Sequence, residues 1–90
     1  MDYRKLTRAE IEIKYPFDCD NISEVWVNEF TGKVHHDDGP AVKFTDESIA
    51  WAIDGHIYTF VSWCVKLNKT PEEIVFLRLA YGNHRERYHH

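Results

Sequence analysis

The chain has 90 residues, 43% of them apolar and 14% aromatic, a composition that fits one folded domain and excludes both a disordered segment and a large multi-part enzyme. Eleven basic against fifteen acidic side chains give a net charge of −4 with histidine neutral, so the basic excess of a general nucleic-acid binder is missing. The opening MDYRKLTRAE lacks the apolar centre of a signal peptide and no run approaches the about 18 apolar residues of a membrane span, so the expectation is a cytoplasmic protein with no membrane partner.

The charge is unevenly spread. Residues 1–17 carry four basic and three acidic side chains, residues 18–54 two and nine, and residues 55–90 five and three. The middle is therefore an acidic block, read first as a solvated face and second as an acidic interaction surface. Cys19 and Cys64 form no CxxC pair, and both read as reduced thiols.

In chain order, Glu10-Ile11-Glu12-Ile13-Lys14-Tyr15 alternates polar and apolar residues with period two, which predicts a half-buried strand. Thr7-Arg8-Ala9-Glu10 has capping-box spacing, a competing signal for at most one helical turn before it, and Pro16 would stop a helix. Asp18 to Ser23 is a stretch of turn formers, and Glu24 to Phe30 is a β-branched and aromatic strand. Thr31-Gly32-Lys33 makes a tight turn, Val34 to His36 a return strand, and Asp37-Asp38-Gly39-Pro40 a second turn. Ala41 to Phe44 and Ile49 to Ile53 are extended on either side of Thr45 to Ser48, and Asp54-Gly55 signals a hairpin leading into His56 to Tyr58. Trp26-x5-Gly32-Lys33-Val34-His35 is echoed by Trp51-x3-Gly55-His56-Ile57-Tyr58. Each copy is a strand, a glycine turn and a short return strand, with glycine supplying positive φ and tryptophan the buried area.

The apolar positions Phe60, Trp63, Cys64 and Leu67 predict a helix over about 59–68. Thr70-Pro71-Glu72-Glu73 is a helix start with threonine at the N-cap, proline at N1 and Glu73 closing a capping box, and Ile74, Leu77 and Tyr81, widened by Phe76, Leu79 and Ala80, predict a helix over 71–81. The predicted fold is α+β: an antiparallel meander of about four to six short strands over residues 9–58, covered by this helical hairpin in two layers within a single domain, 1–82. The polar, basic segment 83–90 is expected to fray.

His35-His36-Asp37-Asp38 is the densest group of metal-ligand types. Neighbouring strand residues point to opposite faces, and a structural site needs about four converging ligands, so the expectation is no metal and no cofactor. A metal-dependent hydrolase at His35, Asp37 and His56 is the weakest reading. Ser23, Ser48 and Ser62 lie in no nucleophile elbow, and the expectation is a protein that is not an enzyme. Trp26, Trp51, Tyr58 and Trp63 would stack bases if exposed, but each tryptophan lies in a strand or helix stripe and reads as core, and Arg78, Arg85, Arg87 and Tyr88 are the candidate contacts for RNA or single-stranded DNA, the alternative function.

The segment Gly32-Lys33-Val34-His35-His36-Asp37-Asp38-Gly39-Pro40-Ala41-Val42 resembles the G-K-x-H-R-x-D-G-P-A repeat of small tailed-bacteriophage proteins, a divergent MORN-like repeat, with histidine at position 36 where arginine is common. Trp51-x2-Asp54-Gly55 looks like the start of a second, truncated copy, so the resemblance covers about residues 24–58. It implies a phage accessory protein of the infected bacterial cytoplasm and carries no catalytic residues over. The resulting expectation is a non-enzymatic protein that binds and inhibits or redirects a host protein for host takeover or anti-defence. Its acids Asp37, Asp38, Asp46, Glu47 and Asp54 would face a basic, nucleic-acid-binding surface on the partner. Short edge strands add the expectation of a homodimer.

Overall fold

A computed structural model describes residues 3–87. In chain order they form β1 (Tyr3–Lys5), α1 (Arg8–Lys14), a 3-10 turn at Cys19–Asn21, β2 (Ile22–Asn28), β3 (Val42–Phe44), β4 (Ile49–Ile53), β5 (His56–Tyr58), α2 (Phe60–Lys66) and α3 (Pro71–Tyr81). The five strands make one antiparallel meander in the order β1-β2-β3-β4-β5. The α+β class and the helical hairpin are as the sequence predicts, and the sheet begins at Tyr3, ahead of the expected residue 9.

The predicted strand at Glu10 to Tyr15 is instead α1. The capping box wins over the alternation: the Glu10 N–H donates to Thr7 Oγ1 at 3.2 Å and the Thr7 N–H donates to Glu10 Oε1 at 2.9 Å. Arg4 donates to both oxygens of the same carboxylate, at 2.9 and 2.6 Å. Arg8 then anchors the helix by donating to the carbonyls of Ile22 and Cys19 at 2.8 and 2.7 Å. Two residues turn an α-helix by about 200°, so Ile11 and Ile13 cannot share a face. Ile11 is buried and Ile13 is exposed.

β4 explains the layering. Its residues alternate between two cores: Ala50 and Ala52 join Leu6, Ile11, Ile22, Val25, Val27 and Val42 on one side, while Ile49 and Trp51 join Phe60, Trp63, Cys64 and Leu77 on the other. The sheet is thus covered by α1 on one face and by α2 and α3 on the other, three layers where two were expected. A bulge in β2 between Ile22 and Glu24 shifts the pairing with β3 and lets Ile22 share the face of Val25 and Val27. In the second core Trp51 meets Trp63 at 4.6 Å and Phe60 at 4.9 Å between ring centroids, and Tyr81 edge-on at 5.7 Å. Each such pair adds about 0.5–1.5 kcal/mol beyond the area it buries.

The hairpin turns follow their glycines. Asp54 and Gly55 have φ of 47° and 86°, the two left-handed residues that a two-residue hairpin with the right twist requires. The helix starts also hold, with Thr59 and Thr70 accepting the N–H of Ser62 and Glu73. Residues 83–87 depart from the expectation of fraying. β5 ends with Tyr58 opposite Trp51, which leaves the edge of Ile49 open, and the C-terminal segment fills it. Ile49 N–H donates to Arg85 O at 2.8 Å and Arg87 N–H to Ile49 O at 2.7 Å. Glu86 accepts the Phe60 N–H at 2.6 Å, capping the start of α2.

Candidate functional site

The segment carrying the repeat-like motif occupies one strand position between β2 and β4 and leaves it once. Val34 bridges Val27, and His35 N–H donates to Trp26 O at 3.0 Å. On the other side, Gly55 N–H donates to Val34 O at 2.7 Å and His36 N–H to Ala52 O at 3.3 Å. Trp26 N–H then donates to Ala41 O at 2.7 Å, so consecutive bonds of Trp26 skip from His35 to Ala41 and residues 36–40 loop out. The predicted return strand is therefore a short pairing that resumes as β3 after this excursion.

Inside the loop the polar groups are matched. The buried imidazole of His35 accepts the Asp54 N–H on Nδ1 at 3.0 Å and donates from Nε2 to Asp37 at 2.7 Å, an arrangement that defines the Nε2–H tautomer. His36 turns to the other face. Its ring lies flat on Trp26, with centroids 4.3 Å apart and planes within 5°, and meets Tyr3 edge-on at 4.6 Å. His36 Nδ1 donates to Pro40 O at 3.2 Å. Burial holds this imidazole below its ordinary pKa, against the raising influence of Pro40 O and nearby acids. Tyr3 donates its hydroxyl to Asp38, and burial, then that bond and the negative charge of Asp38, push its pKa up to about 12. Trp63 Nε1–H donates to His36 O at 3.1 Å, joining the loop to α2.

The five acids do not form one face. Asp37, Asp38 and Asp54 gather around the His35 loop, whereas Asp46 and Glu47 occupy the turn at the opposite end of β4. Asp38 also lies 3.9 Å from Lys69 Nζ, and Asp54 accepts from Asn28 Nδ2 at 3.3 Å. Asp46 accepts from the Ser48 hydroxyl at 2.5 Å, the Ser48 N–H at 2.9 Å, and Arg85 and Arg87 at 2.8 Å each. Those bonds, the Ser48 hydroxyl foremost, hold its carboxyl well below the usual carboxylate range. Glu47 is exposed, has a φ of 69° and makes no side-chain ion pair among the described residues.

The arginines proposed for nucleic acid also have partners within the chain, although Arg78 and Arg85 stay exposed. Arg85 and Arg87 share Asp46, Arg87 lies 4.0 Å over the Phe44 ring, and Arg78 lies 5.0 Å over Phe60. Tyr88 lies outside the described residues. Among the described residues, no group of three or more His, Cys, Asp or Glu side chains is arranged to hold a metal ion, and His35, with both nitrogens engaged, does not meet the exposed His56. A cleft of about 60 Å³ beside Ile49, Trp51, Phe60, Leu77 and Tyr81 falls short of the roughly 300–1,000 Å³ of small-molecule pockets, whereas shallower surface hollows run from about 290 to about 550 Å³, the widest of them at Asp46, Glu47, Asn83, His84 and Arg85. The buried Trp51 Nε1 has no hydrogen-bond partner among the described residues.

Sequence reasoning missed the exposed apolar residues. Phe76 and Leu79, read as widening the inner stripe of α3, stand in solvent, as do Ile13, Phe17 and Phe30. The signal was present in α3, which is apolar nearly all round; on α1 it was hidden by the strand reading. No family model, no curated protein and no solved structure matches the chain significantly.

Proposed function

We propose that the chain is a non-enzymatic phage accessory protein that binds a host protein and inhibits or redirects it, in host takeover or anti-defence. The observation that carries this reading is the exposure of three large apolar residues, Ile13 near the end of α1, Phe17 just after it and Phe30 in the turn after β2. Phe17 is 96% exposed and Phe30 81%, and Lys14 Nζ, donating to Gly32 O at 2.7 Å, ties the end of α1 to the turn that holds Phe30. Exposed phenylalanines are what protein interfaces bury at their centres. The loop resemblance supports the phage origin, and the net charge of −4 favours approach to a basic partner.

In this reading the contact shifts from the acidic turns to the α1 side, because Asp37, Asp38, Asp46 and Asp54 already serve His35, Tyr3, Asn28, Ser48 and the C-terminal arginines. A pull-down from bacterial lysate, with and without nuclease, tests it. The expected result is a protein partner that survives nuclease and is lost with a Phe17→Ser, Phe30→Ser double variant. Loss of every partner on nuclease treatment would reject host-protein binding in favour of RNA or single-stranded DNA.

A further inference from the structure

Lys69, between α2 and α3, is a buried charge whose donors are unfilled. Its side chain is only 10% exposed, which is rare for lysine, and Nζ lies 5.2 Å over the Trp63 ring. An ammonium carries three donors, and among the described residues none of them reaches an acceptor. The carboxylate oxygens it faces, Asp38 Oδ1 and Glu73 Oε2, are 3.9 and 3.8 Å away, beyond hydrogen-bond length.

Both acids are held in place by their other oxygen. Asp38 Oδ2 accepts the Tyr3 hydroxyl, and Glu73 Oε1 accepts the Thr70 N–H at 2.9 Å. Asp38 comes from the loop that Trp63 Nε1–H pins through His36 O, and Glu73 from the capped first turn of α3. Lys69 is tied by its own N–H to Cys64 O at 3.0 Å. The three charges border a hollow of about 350 Å³, lined also by Glu72, Phe76 and Leu77, within the roughly 300–1,000 Å³ of small-molecule sites. Phe76 and Leu77 follow Glu73 at i+3 and i+4, so an apolar wall stands beside the charges.

This arrangement selects among ligands. A simple anion that reaches Lys69 also meets two carboxylates, and a simple cation that reaches the carboxylates also meets Lys69, so each is opposed by a like charge. A ligand carrying both signs brings alternating charges to hydrogen-bond distance on both sides. We propose that the hollow binds a free α-amino acid with an apolar or aromatic side chain. The α-carboxylate accepts from Lys69, the α-ammonium donates to Asp38 and Glu73, and the side chain lies against Phe76 and Leu77. The site goes beyond host-protein binding and uses none of the residues that carry that reading. Its openness to solvent makes the affinity weak, a Kd of about 1 mM.

An NMR titration of the full chain with L-phenylalanine tests the proposal, following the Trp63 indole N–H and the amides of Lys69 and Glu73. Saturable shifts at these groups are expected. Phenylpropionate, which lacks the ammonium, and phenethylamine, which lacks the carboxylate, are each expected to bind about tenfold more weakly. Lys69→Met is expected to abolish the shifts. Phe76→Ser, at a position 70% exposed, is expected to weaken binding of phenylalanine while the rest of the spectrum stays as in wild type, which separates loss of the site from loss of the fold. Absence of shifts at these groups with L-phenylalanine, or equal binding of phenylpropionate or phenethylamine, would overturn the proposal.

Discussion

His35 Nδ1 accepts the backbone N–H of Asp54 at 3.0 Å, so a side chain from one hairpin holds the turn of the next. The ring's other nitrogen is taken by Asp37, and Gly55 N–H reaches back to Val34 O. The histidine and the first aspartate of the motif therefore act as a clasp between two successive hairpins, which accounts for their spacing without chemistry.

Removing the clasp has a predictable cost. His35→Ala leaves a backbone donor and a carboxylate without their partner and empties a buried position, so it is expected to destabilise by about 2–3 kcal/mol. His35→Gln, which keeps an acceptor, is expected to cost less. Urea denaturation with an unchanged slope would confirm the loss, and equal stability of wild type and His35→Ala would contradict the clasp.

Asp46 gathers the C-terminal segment through Arg85 and Arg87, 39 and 41 residues away. Asp46→Asn is expected to release residues 83–87 while α3 and the sheet stay folded. Limited trypsin digestion should then cut after Arg85 and Arg87 faster than in wild type, with little change in the main thermal transition. Protection equal to wild type would mean that the backbone bonds to Ile49 suffice.

Acid should weaken the fold in two windows. Arg4, followed by the Thr7 N–H, holds the Glu10 carboxyl at about 2 against an ordinary 4.5. Its contribution is complete above pH 4.5 and disappears as pH falls toward 2. The melting-temperature gap between wild type and Glu10→Gln is expected to close over that range. His36, held below 6.5 by burial, titrates later in the folded chain than in the unfolded one, so stability also declines as pH falls below 6.5. An NMR titration of the His36 ring with a midpoint at or above 6.5 would count against this.

Glu47 takes a left-handed backbone, φ 69°, that a residue with a Cβ adopts at a cost. Glu47→Gly is expected to raise stability by about 0.5–1 kcal/mol, since the relief outweighs the extra freedom of glycine in the unfolded chain. Thermal melts of the two proteins decide it. Lower stability would show that the Glu47 side chain makes a contribution larger than its backbone strain.

The parts of the fold legible from sequence were those set by neighbours a few residues apart: Thr70-Pro71-Glu72-Glu73 at the start of α3, the Phe60-Trp63-Cys64 stripe of α2, and the Asp54-Gly55 turn. α1 was obscured because Glu10-Ile11-Glu12-Ile13 carries both a strand alternation and a capping box, and the capping box prevails with support from outside the segment, Arg4 on Glu10 and Arg8 on the carbonyls of Cys19 and Ile22. The roles of the acids were hidden for the same reason. Nothing near Asp46 in the chain announces Arg85 and Arg87, nor anything near Asp38 the hydroxyl of Tyr3. What Trp51 packs against was legible as core, whereas the second core beneath Ala50 and Ala52 was not, since alanine carries no strong pattern.

That alternation on β4, large residues toward α2 and α3 and alanines toward α1, has a consequence for how the chain finds its pairing. β3 and β4 share only the pairs Val42 with Ala50 and Lys43 with Ile49, too few for hydrogen bonds alone to reject a shifted alignment. A one-residue slip would swing the indole of Trp51 into the space sized for a methyl group. Steric bulk, distributed unequally across a single five-residue strand, therefore selects the alignment of the whole meander and fixes where each helical layer must dock.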